Sequence, residues 1–221
     1  MFKKWLSYIV PINIMTEKSQ WSKTLEVTWA NGELVLDSAH TNYSYGSLQR
    51  ILRIGLNKIG FDRIDKMNHI LVLGVAGGSV IKTLVNEVNY NNKITGVEID
   101  SQVISIAKKY FELDKVKNLE LVVDDAFEFV LKTKEKYDLI IIDIFQDLAM
   151  PNFLFEAFFA NRILEILDSK GIILFNTMCL TDSDNKRNRA YQNLFDDELN
   201  TVQTIPRVES HNELIIVEKR F

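Results

Sequence analysis

The stretch from residue 69 to residue 81, His-Ile-Leu-Val-Leu-Gly-Val-Ala-Gly-Gly-Ser-Val-Ile, leaves the chain little choice of fold. A short apolar run ends at Gly74, Gly77 and Gly78 follow, and an amphipathic pattern begins at Ser79. That order reads as a buried strand, a tight bend and a helix. Roughly 20 residues beyond the glycines, the run Lys93-Ile-Thr-Gly-Val-Glu98-Ile-Asp100 reads as a second buried strand ending in an acid, the general plan of a nucleotide-binding βαβ unit. Glycines let the backbone approach a ligand, and the acid accepts hydrogen bonds from ribose hydroxyls.

The bend narrows the choice of nucleotide. A dinucleotide fingerprint carries glycine at its first, third and sixth positions, where this chain has Gly74, Ala76 and Ser79. No Gly-Lys-Ser/Thr run of a P-loop occurs. A ligand without a pyrophosphate stays open, S-adenosylmethionine being the common one. So does a bend that binds nothing.

The rest of the chain repeats the strand-helix alternation. Residues 118–123 read as a third strand, followed by Asp124-Asp125-Ala126 at the start of a short helix. Residues 137–143 form a fourth strand, apolar until its final Asp143 and so covered on both faces. Residues 152–167 read as one long amphipathic helix stopped by Ser169-Lys-Gly171, and 171–177 as a fifth strand. A helix near 185–199 and two closing strands, 202–205 and 213–218, follow. Ser101 is the expected cap of the helix after the second strand. Upstream, residues 25–30 and 33–37 flank Asn31-Gly32, the signature of a β-hairpin with a type I′ turn. A helix over 47–59 ends at Gly60. The expected organisation is a small N-terminal β unit over 1–45 and a Rossmann-like α/β domain with a mostly parallel sheet over 46–221.

Composition excludes several classes. The chain has 221 residues, 47% of them apolar, a net charge of −4 and one cysteine. Without a basic stripe, nucleic acid is disfavoured as the main partner, while a mildly acidic chain suits a cationic substrate. A lone Cys179 excludes an internal disulfide and fits a reducing compartment; the expected role is a buried small apolar residue. The start of the chain resembles a short signal peptide without a cleavage site, and no run reaches the roughly 18 apolar residues of a membrane span. The expected setting is cytoplasmic, with no membrane partner. His40, His69 and His211 are scattered, no metal-ligand spacing occurs, and no Gly-x-Ser-x-Gly elbow supports a Ser-His-Asp triad.

Ligands of open parallel sheets bind beyond the carboxyl ends of the strands, where this chain places Gly74, Gly77, Glu98, Asp125 and Asp143. Glu98 offers paired acceptors for two ribose hydroxyls; the plainer reading is a solvated strand-end acid. Asp125 accepts from an adenine amino group or caps the next helix, a task open to Asp124 as well. Burial of Asp143 raises its pKa toward a range useful for proton transfer, so it is a base toward an amine, a lure for a cation, or a loop cap. Asp147 adds a second negative charge or is a solvated loop acid. Tyr43 and Tyr45 wall an acceptor pocket or pack on the core, and Phe153, Phe155, Phe158 and Phe159 have the spacing of a core or dimer face.

Collected in this way, the chain resembles the spermidine synthase family, which has a class I methyltransferase core behind an N-terminal β unit. The resemblance covers residues 25–180. It rests on Val97-Glu-Ile-Asp100, Val123-Asp-Asp-Ala-Phe-Glu-Phe129, Tyr137-Asp-Leu-Ile-Ile-Ile-Asp143, the 154–167 helix before Gly171-Ile-Ile-Leu, the Leu-Val-Leu-Asp37 strand and Tyr43-Ser-Tyr45. It implies that the Gly74, Gly77 and Gly78 loop, Glu98, Asp125 and Ala126 bind the adenosyl donor. It makes Asp143 the catalytic aspartate and has Tyr45 line the amine site; Asp147 is a candidate for the acceptor side on its charge, at a spacing shifted from the family's. It also implies a small-molecule acceptor, an amine among the candidates, no metal, and a homodimer as a common state.

Three positions depart from the family pattern. Gly77 stands where aminopropyl-transferring members carry Asp. Gln146 stands where their second Asp falls, with Asp147 one place later, and Gly46 follows the tyrosine where a polar residue is usual. An Asp at position 77 would attract the cationic tail of decarboxylated S-adenosylmethionine; Gly77 instead leaves backbone N–H groups for the carboxylate of S-adenosylmethionine. The sequence therefore points first to methyl transfer from S-adenosylmethionine. Aminopropyl transfer from the decarboxylated donor is the alternative, and a non-catalytic cofactor-binding or interaction domain is a further one.

Overall fold

The computed structural model describes residues 2–38, 42–44, 47–145, 149–195 and 197–221, and of 42–44, 47 and 48 the backbone. A short helix α1 (Phe2–Leu6) leads into four antiparallel strands, β1 (Ile12–Ser19), β2 (Lys23–Ala30), β3 (Glu33–Ser38) and β4 (Asn42–Ser44), paired in chain order. Asn31 and Gly32 have φ of 50° and 80°, the two left-handed residues that a type I′ turn requires. The hairpin is therefore where the sequence places it.

Helices α2 (Ser47–Ile59) and α3 (Phe61–Ile64) cross to the main sheet, which is built from β5 (His69–Leu73), α4 (Ser79–Asn86), β6 (Lys93–Glu98), α5 (Ser101–Phe111), β7 (Leu119–Val123), α6 (Ala126–Lys132), β8 (Tyr137–Ile142), α7 (Ala157–Ile166), β9 (Leu167–Met178), α8 (Asp182–Gln192), β10 (Asn200–Val208) and β11 (Asn212–Lys219). The strand order is β10-β11-β9-β8-β5-β6-β7. Strands β5 to β9 run parallel, whereas β11 is antiparallel to both β9 and β10. The chain winds outward from β5 to β7, then returns to β8 on the other side. The carboxyl ends of β5 and β8 thus form the switch point at which such sheets bind ligands.

Burial follows from the pattern. Along β8, Leu139 and Ile141 join a core with α2 and α4, while Tyr137, Ile140 and Ile142 join a second core with α6, α7 and α8. A strand apolar on both faces is what a covered parallel sheet demands. Helix α5 has two apolar faces. Ile104 and Ala107 pack on the main sheet, and Val103, Ile106 and Phe111 pack on Leu25, Val27 and Leu36 of the small sheet. The four-stranded sheet is therefore seated on α5, just behind the acid that ends β6.

Three boundaries differ from expectation. Asp100, not Ser101, caps α5: its Oδ1 accepts from the Gln102 N–H at 2.8 Å, and Ser101 is the first helical residue. The expected 152–167 helix is two pieces, a 3-10 turn Asn152–Phe155 and α7, because Glu156 is extended at φ −80° and ψ 140°. Strand β9 then begins directly at Leu167, ahead of Gly171. Helix α8 starts earlier and ends earlier than 185–199, because Thr181 and Asp184 form a reciprocal capping box at its start.

Candidate active site

Four strand ends are laced together by backbone hydrogen bonds. The Asp143 N–H donates to the Leu73 carbonyl at 2.9 Å, the Gly74 N–H to Val97 at 3.0 Å, and the Asp124 N–H to Glu98 at 3.2 Å. One row thus carries Asp143, Gly74, Glu98 and Asp124, with Asp125 beside it.

Gly74 has φ +87°, and a Cβ there would lie 2.2 Å from the Asp143 carbonyl oxygen. Gly78, at φ +79°, would place a Cβ 2.5 Å from a Leu113 methyl. Gly74 is thus required by the backbone packed against it and Gly78 is favoured by its left-handed φ, whatever the bend holds. Gly77 is buried in the bend, and Ala76 takes a left-handed φ of 48° without being glycine.

Glu98 is buried, and its carboxylate turns back into this bend. Oε2 accepts from the Val75 and Ala76 N–H groups at 3.2 and 3.1 Å, and Oε1 accepts from the Asp100 N–H at 3.1 Å. Burial pushes its pKa up, and the three amides pull the other way. A carboxylate has about four acceptor positions, so three bonds leave one. Glu98 shapes the bend, and it is not the free strand-end acid that the sequence alone leaves open. Asp100 carries the link outward, since its other oxygen accepts from Ser19 Oγ at the end of β1.

Asp125, not Asp124, caps α6, its Oδ1 accepting from Phe127 N–H at 2.7 Å. That use occupies one oxygen. Ala126 is buried beneath it, and half-exposed Ile99 and exposed Val123 supply apolar surface at the same strand ends.

Asp143 keeps a partly accessible face. Its Oδ1 accepts from Asn176 Nδ2 at 2.8 Å. Burial raises its pKa from 3.8 to about 6, against the pull of that one bond. Asn176 in turn accepts from Asn212 Nδ2 at 2.9 Å. The sequence pattern singles out neither amide; the available signal is that Asn176 interrupts the apolar run of β9 at its carboxyl end. The chain beyond Asp143 returns to the sheet at Met150, whose sulfur accepts from Met178 N–H at 3.4 Å. Nearby, the Arg187 guanidinium stacks 4.1 Å from the Phe155 ring centre and lies 3.3 Å from Asp184.

The other expectations fall elsewhere. Tyr45, Gln146, Asp147 and His40 lie outside the described residues, as does the Tyr43 side chain. Phe159 is buried and Phe153 and Phe155 pack on it or near it, whereas Phe158 is exposed. Cys179 is half-buried rather than buried, and burial pushes its thiol pKa up, away from the thiolate. His69 contacts Thr95 at 2.9 Å at the opposite, amino-terminal end of the sheet. Among the described residues, no three His, Cys, Asp or Glu side chains gather as metal ligands, and no helix is long and apolar enough to cross a membrane.

The model of the spermine/spermidine synthase domain matches residues 54–210. The chain belongs to the spermine/spermidine synthase family. A polyamine aminopropyltransferase of Prochlorococcus marinus is 35% identical over 116 residues, covering 50% of this chain and 41% of that protein. An eEF1A lysine and N-terminal methyltransferase homolog of Drosophila melanogaster is 31% identical over 142 residues, covering 59% of this chain and 20% of that protein. The chain therefore spans less than half the length of either relative. The crystal structure of a probable spermidine synthase from Corynebacterium glutamicum superposes with a TM-score of 0.74 at 15% identity, covering 94% of this chain and 80% of that one. That likeness shows the fold: the mostly parallel sheet with a small antiparallel sheet before it. In this spermine/spermidine synthase domain, the matched segment begins within α2 and ends just before β11, so it includes every strand end that forms the candidate site.

Proposed function

We propose that this chain is a transferase that alkylates a neutral amine from an adenosyl-sulfonium donor, with decarboxylated S-adenosylmethionine as the donor and an aminopropyl group as the group moved. The observation that carries this reading is Asp143, a carboxylate at the sheet's switch point with a pKa near 6 and, among the described residues, one oxygen engaged by the side chain of Asn176. The names of the relatives support it: polyamine, lysine and N-terminus are all amines. The spermine/spermidine synthase domain match and the polyamine aminopropyltransferase relative favour aminopropyl transfer over the methyl transfer that Gly77 suggests from sequence. Methyl transfer to an amine remains the second reading, because Gly77 is the residue in place of the expected acid.

The residues fit such a donor. The 74–78 bend and Glu98 would hold the ribose, with the remaining acceptor position on Oε1 free for a hydroxyl. Asp125 and the Ile99 and Ala126 surface would hold the adenine. When bound, the donor supplies a carbon activated by the neighbouring sulfonium, which leaves as a neutral thioether. Asp143 supplies the rest. An amine attacks only through its lone pair, so the proton of the incoming ammonium must go elsewhere. A carboxylate with a midpoint near 6 is mostly ionised at neutral pH and is a stronger acceptor than an ordinary aspartate. Fixed position contributes the remaining advantage.

The test is incubation with each donor and a panel of diamines, read by mass spectrometry. A diamine gaining an aminopropyl group, with methylthioadenosine released, is the expected result. Consumption of neither donor with any amine would overturn the proposal. Glu98→Gln is expected to weaken methylthioadenosine binding by at least about tenfold, because an amide NH₂ would face one of the three N–H donors that the carboxylate now receives. Calorimetry measures this, and unchanged affinity would remove Glu98 from the site.

A further inference from the structure

We propose that Asn176 and Asn212 form a positioning relay that aims the Asp143 carboxylate and keeps one of its oxygens for the acceptor. The inference rests on the reading of Asp143 as the proton acceptor, and it names residues that this reading does not require.

The geometry comes from the order of three adjacent strands. Ile142 pairs with Phe175 across β8 and β9, so Asp143 and Asn176 each lie one step beyond a paired position. Across β9 and β11, Asn176 is opposite Leu214 and Asn212 opposite Met178, which makes the two asparagines diagonal neighbours. The distances are 2.9 Å from Asn212 to Asn176 and 2.8 Å from Asn176 to Asp143. Asn176 has no exposed surface and Asn212 has 7%. A buried amide in a run of Ile, Leu and Phe is unfavourable unless its partners are fixed.

Chemistry fixes the direction of the relay. An ionised carboxylate only accepts, so Asn176 must turn its NH₂ toward Asp143. Its carbonyl then faces Asn212, which must answer with its own NH₂. Without Asn212 the Asn176 carbonyl loses its donor, and the amide is held from one side only. With Asn212, Oδ1 of Asp143 is held and the carboxylate plane is set. Among the described residues, the acids on neighbouring elements have partners of their own: Asp124 accepts from the Asp125 N–H at 2.9 Å and Glu213 from Gln192 Nε2 at 3.4 Å. Glu98 at the end of β6 bonds the bend and Asp100, Asp125 caps α6, and Asp184 pairs with Arg187 on α8; Asp147 is outside the described residues.

The experiment is a carboxyl-carbon NMR titration of the full chain labelled at aspartate, with Asp143 assigned by its loss in Asp143→Asn. The Asp143 midpoint is expected near 6 in the parent. In Asn176→Leu it should rise by at least about one unit, a tenfold gain in proton affinity. Asn212→Leu, a milder change at the start of β11, should shift it less in the same direction. The double variant should match Asn176→Leu alone, because the second amide acts only through the first. In the transfer assay, kcat should fall with donor affinity unchanged. An unmoved midpoint in either folded single variant, or additive shifts, would overturn the relay. If the midpoint shifts as expected but Asp143→Asn keeps full turnover, the relay stands and the proton-acceptor reading falls.

Discussion

Asp143→Asn is expected to give a protein that is both nearly inactive and more stable than its parent. Loss of a general base typically lowers turnover by about 10²- to 10⁴-fold, and methylthioadenosine binding should persist, because Glu98 and the bend are untouched. The stability gain follows from the sign of the pKa shift. The folded-state midpoint lies near 6, above the ordinary 3.8, so the native state holds this proton more tightly than the unfolded chain. As pH rises from about 4 to about 6, the unfolded chain ionises first and stability falls; the full cost is present above 6. A shift of about two units sets a ceiling near 3 kcal/mol. Partial exposure reduces this to on the order of 1–2 kcal/mol, or a few degrees in melting temperature for a chain of this size. Asparagine removes the charge and still accepts from Asn176. The stabilisation should therefore be clear at pH 7.5 and vanish near pH 4 in thermal scans. Parent turnover should decline as pH falls through about 6. A variant that melts lower than the parent at pH 7.5, or turns over normally, would contradict the assignment.

The sheet was legible because its information is local. Apolar runs of the right length, Gly74, and the Asn31-Gly32 turn each specify one element without reference to the rest, and the alternation then dictates parallel winding. Boundaries were less so. Whether Asp100 or Ser101 caps α5 depends on which side chain reaches the Gln102 N–H, and both residue types cap helices. The break at Glu156 has no sequence signature, since nothing in Asn152–Ile166 but the backbone angles interrupts the apolar periodicity. At the site, Glu98, Asp125 and Asp143 stood out as acids at strand ends. Their occupancy did not. That Glu98 spends three acceptor positions inside the protein, and that Asp125 spends one on a cap, depends on the curve of loops that composition does not encode. Asn176 and Asn212 are 36 residues apart in sequence and meet only because β11 inserts between β9 and β10. A pairing that depends on strand order is invisible until that order is known.

The same bend yields the second large effect. Gly74→Ala is expected to destabilise the protein by about 3 kcal/mol or more. A left-handed backbone disfavours any Cβ by about 1–2 kcal/mol, and forcing atoms into a filled space adds about 1–3 kcal/mol. Here the obstacle, 2.2 Å away, is the Asp143 backbone carbonyl rather than a flexible side chain, so relief requires the ends of β5 and β8 to separate. That movement would displace Asp143 itself, and turnover should fall along with stability. Ala76 provides the contrast within the same loop. Its φ is also positive, at 48°, yet it carries a methyl group already. Ala76→Gly relieves the backbone strain and loosens the unfolded chain, two opposing changes that leave it neutral to about 1 kcal/mol more stable. Urea denaturation of the two variants separates the contributions: left-handed backbone alone at position 76, left-handed backbone plus close approach at position 74. Should Gly74→Ala unfold at the parent's urea midpoint, the ends of β5 and β8 do not approach this closely. Asp143 would then lose the backbone contact that places it against the glycine bend.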